Sequence, residues 1–411
     1  MRVLHAINQV SGRAGAEVSL RDILLGTAHE VEHAVVVLGA ENNVLEPFEQ
    51  ATIPCFVPGP DARNGRIAAV RHVRSAIRAF QPHLVHTTLF DADLAGRVAA
   101  KLERVPVISS VVNTPYGPEA TAAEPVSRWK LRAARAVDGF LARRFTSGFH
   151  AISAATARHA EVHLRVAPQV MRIVPRGRSR QALGERSSQR RADVRERLGW
   201  NDHPVVINVA REEPQKGQRT LLEAFPGVLA EHPDALLVIV GRRGRSSAVL
   251  DRLVDELRLG GSVERLGVRT DVADLVSAAD VFAFPSHYEG LGGAAVEALG
   301  LGMPIVASDI PALRELLAAE RGWLVPPGDQ VALAASILEV LRGGEEVERR
   351  SQAAREYFDR SYELDRCLEG MLDLYRDIES QLSVDPKASR WRRFVLRDDP
   401  ASGGAAEAEA T

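Results

Sequence analysis

Two glutamates flank a glycine-rich stretch in the second half of this chain. Glu289 precedes the glycines and Glu297 follows eight residues later, in the segment 285–297 that reads PSHYEGLGGAAVE. The apolar run Val281–Phe284 predicts a strand before the glycines, and the alanine-rich residues after them predict a helix. Because glycines let a ligand approach the backbone and a helix N-terminus offers unpaired N–H groups, the pattern indicates a phosphate site with carboxylates placed for sugar hydroxyls. A plain strand–helix turn with two surface glutamates is the alternative. The glycine-rich stretch consists of Gly290, Leu291, Gly292 and Gly293.

Two cations follow another candidate strand. The segment 209–217 reads VAREEPQKG, in which Arg211 comes just after an apolar run and Lys216 is predicted to open the next helix. Cations at a strand end can neutralise a diphosphate, and arginine offers a bidentate fork to its oxygens. Ordinary surface charge is the alternative, because Glu212 and Glu213 lie next to Arg211.

A third turn follows the first candidate strand, where residues 9–17 read QVSGRAGAE. Gly12 and Gly15 flank this turn before a helical pattern begins. The segment does not match the full dinucleotide pattern G-x-G-x-x-G, and no Walker A sequence occurs in the chain. The turn fits either a phosphate approach or a plain strand–helix connection.

Short apolar runs alternate with helical patterns along two stretches of the chain. This alternation is typical of strand–helix–strand units and predicts an α/β fold with two doubly wound parallel sheets, whose ligands would bind at the carboxyl ends of the strands. The strands predicted in the first stretch are Val3–Ile7, Ala34–Leu38, Ile53–Val57, Leu84–His86, Val107–Val111, Phe149–Ile152 and Arg172–Val174. Those predicted in the second are Val205–Val209, Leu236–Val240, Val263–Leu266, Val281–Phe284, Ile305–Ala307 and Trp323–Val325.

The restart of the pattern near residue 204 predicts two domains of similar size. An Arg-rich stretch separates them, which we interpret as a linker with a solvated surface and one short helix at Ala192–Leu198. The tail is rich in Ala, Gly, Ser and Glu and is predicted to be disordered. The predicted divisions are a first domain at 1–175, a linker at 176–203, a second domain at 204–342, helices at 343–385 and a tail at 386–411.

Composition excludes several classes of protein. The chain has 411 residues, 45% of them hydrophobic, and a formal net charge of -2, which argues against nucleic acid as the main partner. The two cysteines, Cys55 and Cys367, make neither a disulfide framework nor a zinc site. No apolar run reaches the ~18–20 residues of a membrane helix. The opening MRVLHAI reads as a strand and not as a signal peptide, so we expect a cytoplasmic protein.

Taken together, the motifs resemble the retaining GT-B glycosyltransferases of family 4. The resemblance is carried by the E-x7-E pair of Glu289 and Glu297, the R-x4-K-G of Arg211–Gly217 and the G-A-E of Gly15–Glu17. It covers almost the whole second domain and is looser in the first. Further matches are Val240-Gly241, Leu266-Gly267, Ala279–Pro285, Ser308–Glu315 (SDIPALRE) and Leu324–Asp329 (LVPPGD).

The resemblance implies that the second domain binds a nucleotide-diphosphate sugar, with a UDP- or GDP-sugar as donor. Arg211 and Lys216 would hold the diphosphate and stabilise its charge as it leaves. Backbone N–H groups of Leu291, Gly292 and Gly293 would assist them. Glu297 would bind the ribose hydroxyls, and Glu289 would contact the donor sugar.

Two further positions follow from the same resemblance. Gly15 would approach the diphosphate from the first domain, and Val268 lies where relatives read the base. The configuration of the sugar would be retained through front-face attack, with a donor phosphate oxygen taking the proton of a hydroxyl acceptor. No cofactor is expected. The implied setting is the biosynthesis of cell-surface glycans or glycoconjugates.

The first domain departs from the family on the acceptor side. Relatives often carry a histidine after the fifth strand, where this chain has Val112 and Asn113 in SSVVNTPY. His86 is the remaining member of a His-x-His found in many relatives. His86 and Asn113 are therefore the acceptor-side candidates, and a structural histidine is the alternative for His86. The usual Asn-Gly before the linker is Arg176-Gly177, with Gly177 as a hinge and Arg176 directed to the cleft or to solvent.

One motif could indicate a metal. Asp91-Ala92-Asp93 spells D-x-D, a metal–nucleotide signature of a different glycosyltransferase fold. Because it starts a helical pattern, we interpret it as helix capping by aspartate. The twelve histidines show no metal-ligand spacing, so no metal is predicted.

A basic amphipathic segment lies in the first domain. Trp129–Phe145 reads WKLRAARAVDGFLARRF, which fits a helix lying on an anionic membrane or facing a lipid-phosphate acceptor. Peripheral contact at the inner face of the membrane is therefore one hypothesis. Arg-rich helices are common in an Arg/Ala-rich chain, so an ordinary surface helix is the other.

Two other functions stay open at this point. A UDP-sugar 2-epimerase would use a similar scaffold, although Arg211 and Lys216 together with the two glutamates favour transfer. A non-catalytic subunit that binds a nucleotide sugar is the second, because the acceptor-side histidine is missing and fold alone does not define function.

Overall fold

The computed structural model describes residues 1–10, 15–40, 44–59, 65–123, 127–318, 320–384 and 393–396. It divides into two compact units. The first comprises Met1–Tyr116, Val126–Gly177 and Asp365–Thr411, and the second comprises Gly117–Pro125 and Arg178–Leu364. Most of the predicted disordered tail, and Gly12 in the first glycine turn, lie outside the described residues.

The first unit contains a seven-stranded parallel sheet with the order β3-β2-β1-β4-β5-β6-β7. The order reverses between β1 and β4, as in doubly wound folds. Its strands are β1 (Arg2–Ile7), β2 (Glu32–Val37), β3 (Cys55–Phe56), β4 (Leu84–Thr88), β5 (Val107–Val111), β6 (Gly148–Ala151) and β7 (Met171–Ile173).

The second unit contains a six-stranded parallel sheet with the order β10-β9-β8-β11-β12-β13. Here the order reverses between β8 and β11. Its strands are β8 (Val205–Val209), β9 (Leu236–Val240), β10 (Val263–Gly267), β11 (Val281–Phe284), β12 (Ile305–Ser308) and β13 (Trp323–Val325). The predicted fold of two doubly wound parallel sheets is therefore confirmed, because strands buried on both faces must read as apolar runs.

Helices connect the strands of both sheets. The short ones, α2, α5, α7, α8, α12 and α14, were not predicted from the sequence, because four to seven residues show too little periodicity. The helices are α1 (Gly15–Thr27), α2 (Glu46–Gln50), α3 (Arg66–Phe80), α4 (Phe90–Glu103), α5 (Pro118–Ala123), α6 (Arg128–Phe145), α7 (Ala154–His159), α8 (Arg180–Leu183), α9 (Ser188–Leu198), α10 (Gln218–Glu231), α11 (Ser247–Glu256), α12 (Val272–Ala278), α13 (Gly293–Gly300), α14 (Pro311–Leu317), α15 (Gln330–Leu341), α16 (Glu345–Ser361) and α17 (Leu364–Val384).

The Arg-rich stretch packs into the second unit. Arg191 and Arg195 on α9 bind the two carboxylate oxygens of Asp280 at 2.6 and 2.7 Å, and Arg190 binds Asp274 of α12 at 2.8 Å. The interpretation as a solvated linker surface is therefore wrong for α9, because carboxylates and the carbonyls at the end of α12 supply partners that the sequence pattern does not show. The domain bounds themselves remain a prediction.

The two long C-terminal helices belong mainly to different units. All of α16 lies in the second unit, whereas α17 contributes Met371, Tyr375 and Ile378 to a core with Val3 and Ile108 of the first sheet. Among the described helices, none combines the length and the apolar content needed to cross a membrane.

The interpretation of Asp91 and Asp93 as helix caps is wrong. No side chain of the preceding residue caps α4, and the Ala92 N–H instead donates to the side-chain oxygen of Asn8 at 3.0 Å. Asp93 accepts a hydrogen bond from the Thr87 hydroxyl at 2.5 Å. Its carboxylate is turned into the unit, where burial raises its pKa to about 6.

Candidate functional site

The strand order of the second unit places the predicted donor residues together at the carboxyl ends of two central strands. The sheet reverses its order between the adjacent strands β8 and β11, which pair at Val281 and Val206. In open α/β sheets, ligands bind outside the carboxyl ends of the strands at such a reversal. Arg211 and Lys216 follow β8, and Glu289 follows β11. The sequence-predicted donor residues are therefore gathered at the expected position.

The turn after β8 is joined to the loop after β11. Lys216 ends a 3-10 turn, Pro214–Lys216, and its Nζ lies 2.5 Å from Glu289 Oε1. Two hydrogen bonds reinforce this contact, because Gln215 Nε2 donates to the Tyr288 carbonyl at 2.7 Å and the His287 N–H donates to the Gln215 carbonyl at 2.8 Å. Both charged side chains are largely buried, with exposed fractions of 14% for Lys216 and 8% for Glu289. The ammonium is thus held at the strand-end edge.

The backbone conformation at position 217 explains why a glycine follows the lysine. Its φ is +63°, and a Cβ at this position would collide with the carbonyl oxygen of Pro285. A side chain here would push the turn away from the loop after β11. The predicted start of the helix at Lys216 is early by two residues, since α10 begins at Gln218 and Gly217 makes the left-handed link.

The glycine-rich stretch ends in a helix N-terminus with free donors. Gly292 adopts φ +87° and precedes α13 without a side-chain cap. In the part of the chain that the structure describes, the N–H groups of Leu291, Gly292 and Gly293 donate to no protein acceptor. Unpaired N–H groups and the positive end of the helix dipole together suit an anion. The arrangement is chemically able to bind a phosphate.

Glu297 lies one turn into α13 and is paired with an arginine that sequence reasoning missed. Arg178 Nε donates to Glu297 Oε1 at 2.7 Å. The Arg178 backbone is fixed as well, because its N–H donates to the Tyr362 carbonyl at 2.8 Å. Arg178 Nη2 also lies 2.5 Å from the place that a Cβ of Gly293 would occupy. Its guanidinium therefore lies against the first residue of the helix. The only sequence feature that could have indicated Arg178 as a site residue was its position in the Arg-rich stretch.

The glutamates beside Arg211 do not neutralise it. Glu212 is buried and binds Arg265 Nε at 2.9 Å, and Glu213 binds Arg245 Nε at 2.7 Å. Arg211 is exposed directly after β8, and in the described residues it forms no ion pair. Its charge is thus available to a ligand. Val268, the predicted base-reading position, is 52% exposed directly after β10.

The acceptor-side candidates lie in the first unit. His86 is buried, and its ring nitrogens are hydrogen-bonded to the Tyr375 hydroxyl at 2.9 Å and to the Ser110 hydroxyl at 2.8 Å. Asn113 is exposed, and its side-chain oxygen accepts from the Thr114 N–H at 2.9 Å. The geometry favours the structural alternative for His86, whereas Asn113 is accessible.

The remaining first-unit positions are also placed by the structure. Gly15 begins α1 and has open space around its Cα. Arg176 is buried, so of the two directions considered for its side chain the one toward solvent is wrong. Within the described ranges, no three His, Cys, Asp or Glu side chains form a group that could hold a metal ion.

Comparison with known domain families matches both units. The model for glycosyl transferases group 1 matches residues 190–357, and the model for the glycosyl transferase 4-like domain matches residues 14–177. The solved structure of the Anabaena protein HepE in complex with UDP-glucose is similar with a TM-score of 0.78 at 23% identity, covering 92% of this chain and 99% of that one. Together, the matching models and the fold support a GT-B glycosyltransferase.

Relatives of known sequence match over shorter stretches. Phosphatidyl-myo-inositol mannosyltransferase of Mycobacterium leprae is 41% identical over 137 residues, which are 32% of this chain and 35% of that protein. A GDP-mannose-dependent monoacylated alpha-(1-6)-phosphatidylinositol monomannoside mannosyltransferase of Corynebacterium glutamicum is 35% identical over 160 residues, which are 36% of this chain and 41% of that protein. The chain thus spans less than half the length of each.

Proposed function

We propose that this chain is a retaining glycosyltransferase of family 4. It would move a sugar from a nucleotide-diphosphate donor to a hydroxyl acceptor, without a metal or other cofactor. The observation that carries the proposal is the strand-end edge of the second unit. There a buried ammonium, that of Lys216, and the free N–H groups before α13 follow adjacent strands. Cations and amide donors can replace a metal ion in stabilising a leaving diphosphate.

Each donor residue receives a role that fits its surroundings. Lys216 and the exposed Arg211 would neutralise the diphosphate, assisted by the N–H groups of the glycine-rich stretch. Glu289 would contact sugar hydroxyls while it orients the Lys216 ammonium. Glu297 would accept hydrogen bonds from the ribose diol, and Arg178 would hold its carboxylate in place. Val268 would lie beside the base.

Retention would follow from front-face attack. The acceptor hydroxyl would bond to the anomeric carbon on the side that the diphosphate leaves, and a phosphate oxygen of the donor would take its proton. The sugar–phosphate bond breaks as the new glycosidic bond forms, so atoms and charges balance with nucleoside diphosphate as the product. Gly15, His86 and Asn113 remain predictions of the diphosphate and acceptor contacts. An acceptor used in cell-surface glycan or glycoconjugate biosynthesis fits the named activities of the two mannosyltransferases.

Donor binding is expected to raise the melting temperature of the protein. We expect a clear shift with the diphosphate and the sugar conjugate of one nucleotide, in metal-free buffer with a chelator, because a ligand that binds only the folded state stabilises it. A thermal-shift panel of UDP, GDP, ADP and their sugar conjugates measures this. UDP and GDP are the first choices, since one matched structure holds UDP-glucose and one relative is named for GDP-mannose.

The same panel distinguishes the alternatives. A shift for no nucleotide contradicts the donor site. For the nucleotide that binds, proton NMR of the sugar conjugate with candidate acceptors should show the donor's anomeric configuration in the product. An epimer formed without acceptor would identify a UDP-sugar 2-epimerase instead, and binding with no turnover would identify a non-catalytic subunit.

Glu297→Ala is expected to weaken nucleoside-diphosphate binding by about 1–3 kcal/mol, because ribose hydroxyls lose their acceptor. Arg178→Met should weaken binding less, since the carboxylate remains but is no longer held. The double variant should be no worse than Glu297→Ala alone, because both changes act through one carboxylate. Isothermal titration calorimetry with the nucleotide that binds measures all three.

Two controls isolate the ribose contact. A nucleotide lacking both ribose hydroxyls should bind the wild type and the Glu297→Ala variant equally. Arg342→Met removes an exposed pair with Glu231, whose atoms are 3.0 Å apart, and should leave affinity unchanged. Equal affinity of wild type and Glu297→Ala for the intact nucleotide would overturn the ribose assignment.

We further propose that the protein is cytoplasmic and makes peripheral contact with the inner face of the membrane. The support is α6, which exposes Trp129, Val137 and Phe140 beside its arginines. Aromatic side chains and cations on one helix suit the interface of an anionic bilayer. Co-sedimentation with vesicles of anionic phospholipid tests this contact, and failure to sediment would contradict it.

A further inference from the structure

Four arginines line a cavity of the first unit. It has a volume of about 320 Å³ and lies between α6 and the turn at residues 160–165. No candidate residue of the donor site belongs to it. Its lining residues are Arg132, Arg135, Ala136, Arg143, His163 and Arg165.

Two of the arginines have a structural partner. Arg135 Nε donates to the His163 carbonyl at 3.0 Å, and Arg143 Nη1 donates to the Leu164 carbonyl at 2.6 Å. These carbonyls belong to a π-helical turn, Ala160–Leu164, that ends at Arg165 with φ +56°. The two guanidiniums therefore satisfy carbonyl groups at a helix end.

The positive charge of the cavity is not balanced by carboxylates. Across the ranges that the structure describes, Arg132, Arg135, Arg143 and Arg165 form no ion pair. Asp138, the acidic residue of α6, is engaged elsewhere, since it accepts from Arg97 at 2.6 Å and from the Tyr116 hydroxyl at 2.8 Å. Carbonyl groups carry only partial charge. The lining therefore carries a net positive charge that can attract an anion.

Apolar side chains border the same cavity. Trp129 and Phe140 are 68% and 52% exposed. They stand three residues before Arg132 and Arg143 on α6, so each lies on the helix surface next to a cavity arginine. Val162 of the π-helical turn is 59% exposed. A cationic cavity with an aromatic border matches a ligand that has a phosphate and an apolar portion.

We propose that this cavity binds a phosphate group. Arg132 and Arg165 contact the phosphate oxygens through their guanidiniums, and Arg135 and Arg143 add charge from the wall. The phosphate belongs either to the headgroup of an anionic phospholipid, with Trp129 and Phe140 entering the bilayer interface, or to a soluble phosphate ester. The inference does not depend on the transfer reaction, because it uses no residue of the donor site.

The decisive variant is Arg132→Gln/Arg165→Gln. In the described residues neither guanidinium is hydrogen-bonded to the π-helical turn, which Arg165 closes through its backbone N–H, so the fold is expected to be intact. The matched control is Arg66→Gln/Arg71→Gln, which removes the same charge from exposed positions of α3. Binding is measured by co-sedimentation with vesicles of phosphatidylcholine, with and without phosphatidylglycerol. A thermal-shift titration with glycerol phosphate measures the soluble source.

The wild type is expected to bind phosphatidylglycerol vesicles. The decisive variant is expected to lose at least about tenfold in affinity for them. Trp129→Ser/Phe140→Ser should also lose vesicle binding, which identifies the lipid as the source. A shift with glycerol phosphate that vanishes in the decisive variant, without vesicle binding, supports the site with a soluble ester as its ligand. The proposal is overturned if the decisive variant matches wild type in both assays, or if the control variant loses as much binding.

Discussion

Lys216→Ala is expected to lower turnover by about 100-fold or more, because the ammonium stabilises charge that grows on the leaving diphosphate. The structure makes the loss larger than that of a simple surface lysine. Lys216 is held against Glu289 at 2.5 Å, and Glu289 is 8% exposed. Removing the lysine deletes the cation of this largely buried pair, next to the place where the diphosphate would bind.

The effect should fall mainly on kcat. The diphosphate becomes more negative as the sugar–phosphate bond breaks, so the ammonium contributes more to the transition state than to the ground state. Lys216→Arg keeps the charge and should recover part of the rate. The measurement is steady-state release of nucleoside diphosphate with the donor identified by thermal shift.

A neighbouring cation provides the matched control. Arg219 follows Lys216 by three residues, is exposed, and pairs with Glu223 at 2.8 Å on α10. Arg219→Ala should leave both kcat and KM near wild type. Equal activities of Lys216→Ala and wild type would refute the role of Lys216, whereas equal losses in both variants would show that the assay reports nonspecific charge.

A network of four histidines is expected to make the first unit about 5 kcal/mol less stable at about pH 5.5 than at about pH 7.5, and buried His159, whose pKa is also lowered to about 3, adds to this loss. Four buried histidines there have their ring protons fixed by hydrogen bonds. His150 Nε2 faces the Val174 carbonyl at 2.8 Å, which can only accept, so this nitrogen carries the proton. Ser110 must then donate to His150 Nδ1 and accept from His86 Nε2. The Tyr375 hydroxyl consequently donates to His86 Nδ1.

The second pair follows the same logic. The Thr27 hydroxyl donates to the Ile23 carbonyl at 2.6 Å, so His33 Nε2 must donate to Thr27. His33 Nδ1 is then the acceptor for the Nε2–H of His5 at 3.1 Å. An added proton on His33 would face a donor, as it would on His86 and His150. With these donor assignments the network is satisfied by neutral imidazoles.

The sign of the pH effect follows from the direction of the pKa shifts. Burial lowers the pKa of His33 to about 3 and that of His150 to about 4, and it lowers the pKa of His5 and His86 well below the usual 6.5. Below pH 6.5 the unfolded chain binds protons that the folded unit does not, so stability falls. At pH 5.5, one unit below this value, protonation of each histidine in the unfolded chain lowers the free energy of unfolding by about 1.4 kcal/mol. Asp93 opposes this by about 1 kcal/mol, because its raised pKa makes the folded form take up a proton first.

Urea unfolding followed by circular dichroism at the two pH values measures the change. Hydrogen exchange resolved by segment should show the loss of protection in β4 and β5, with β8 and β11 of the second unit as the internal reference. His150→Gln should reduce the pH dependence by about 1.4 kcal/mol. His29→Gln, at a side chain that is 64% exposed, should leave it unchanged. Equal unfolding free energies at both pH values would contradict the neutral network.

Much of this protein is determined by local sequence. The strands of two parallel sheets are readable because a strand covered on both faces needs a nearly continuous apolar run, and β5, β8, β9, β11 and β13 have the bounds that such runs predict. The glycines are equally readable. Gly217 and Gly292 occupy backbone conformations with positive φ, where other residues are strained. Local rules therefore predicted the fold and the loops that form the candidate donor site.

Contacts between distant residues were decided only by the tertiary structure. Arg178 and Glu297 are 119 positions apart, and His86 and Tyr375 are 289 apart. The local sequence around one residue of each pair does not predict its partner, because the topology of the fold determines which strand ends and helices become neighbours. The cationic cavity arises in the same way, since its arginines come from α6 and from the end of a π-helical turn. Residue types and spacing thus determine the elements and their loops, whereas the partner of each buried charge depends on the packing of elements that are remote in the chain.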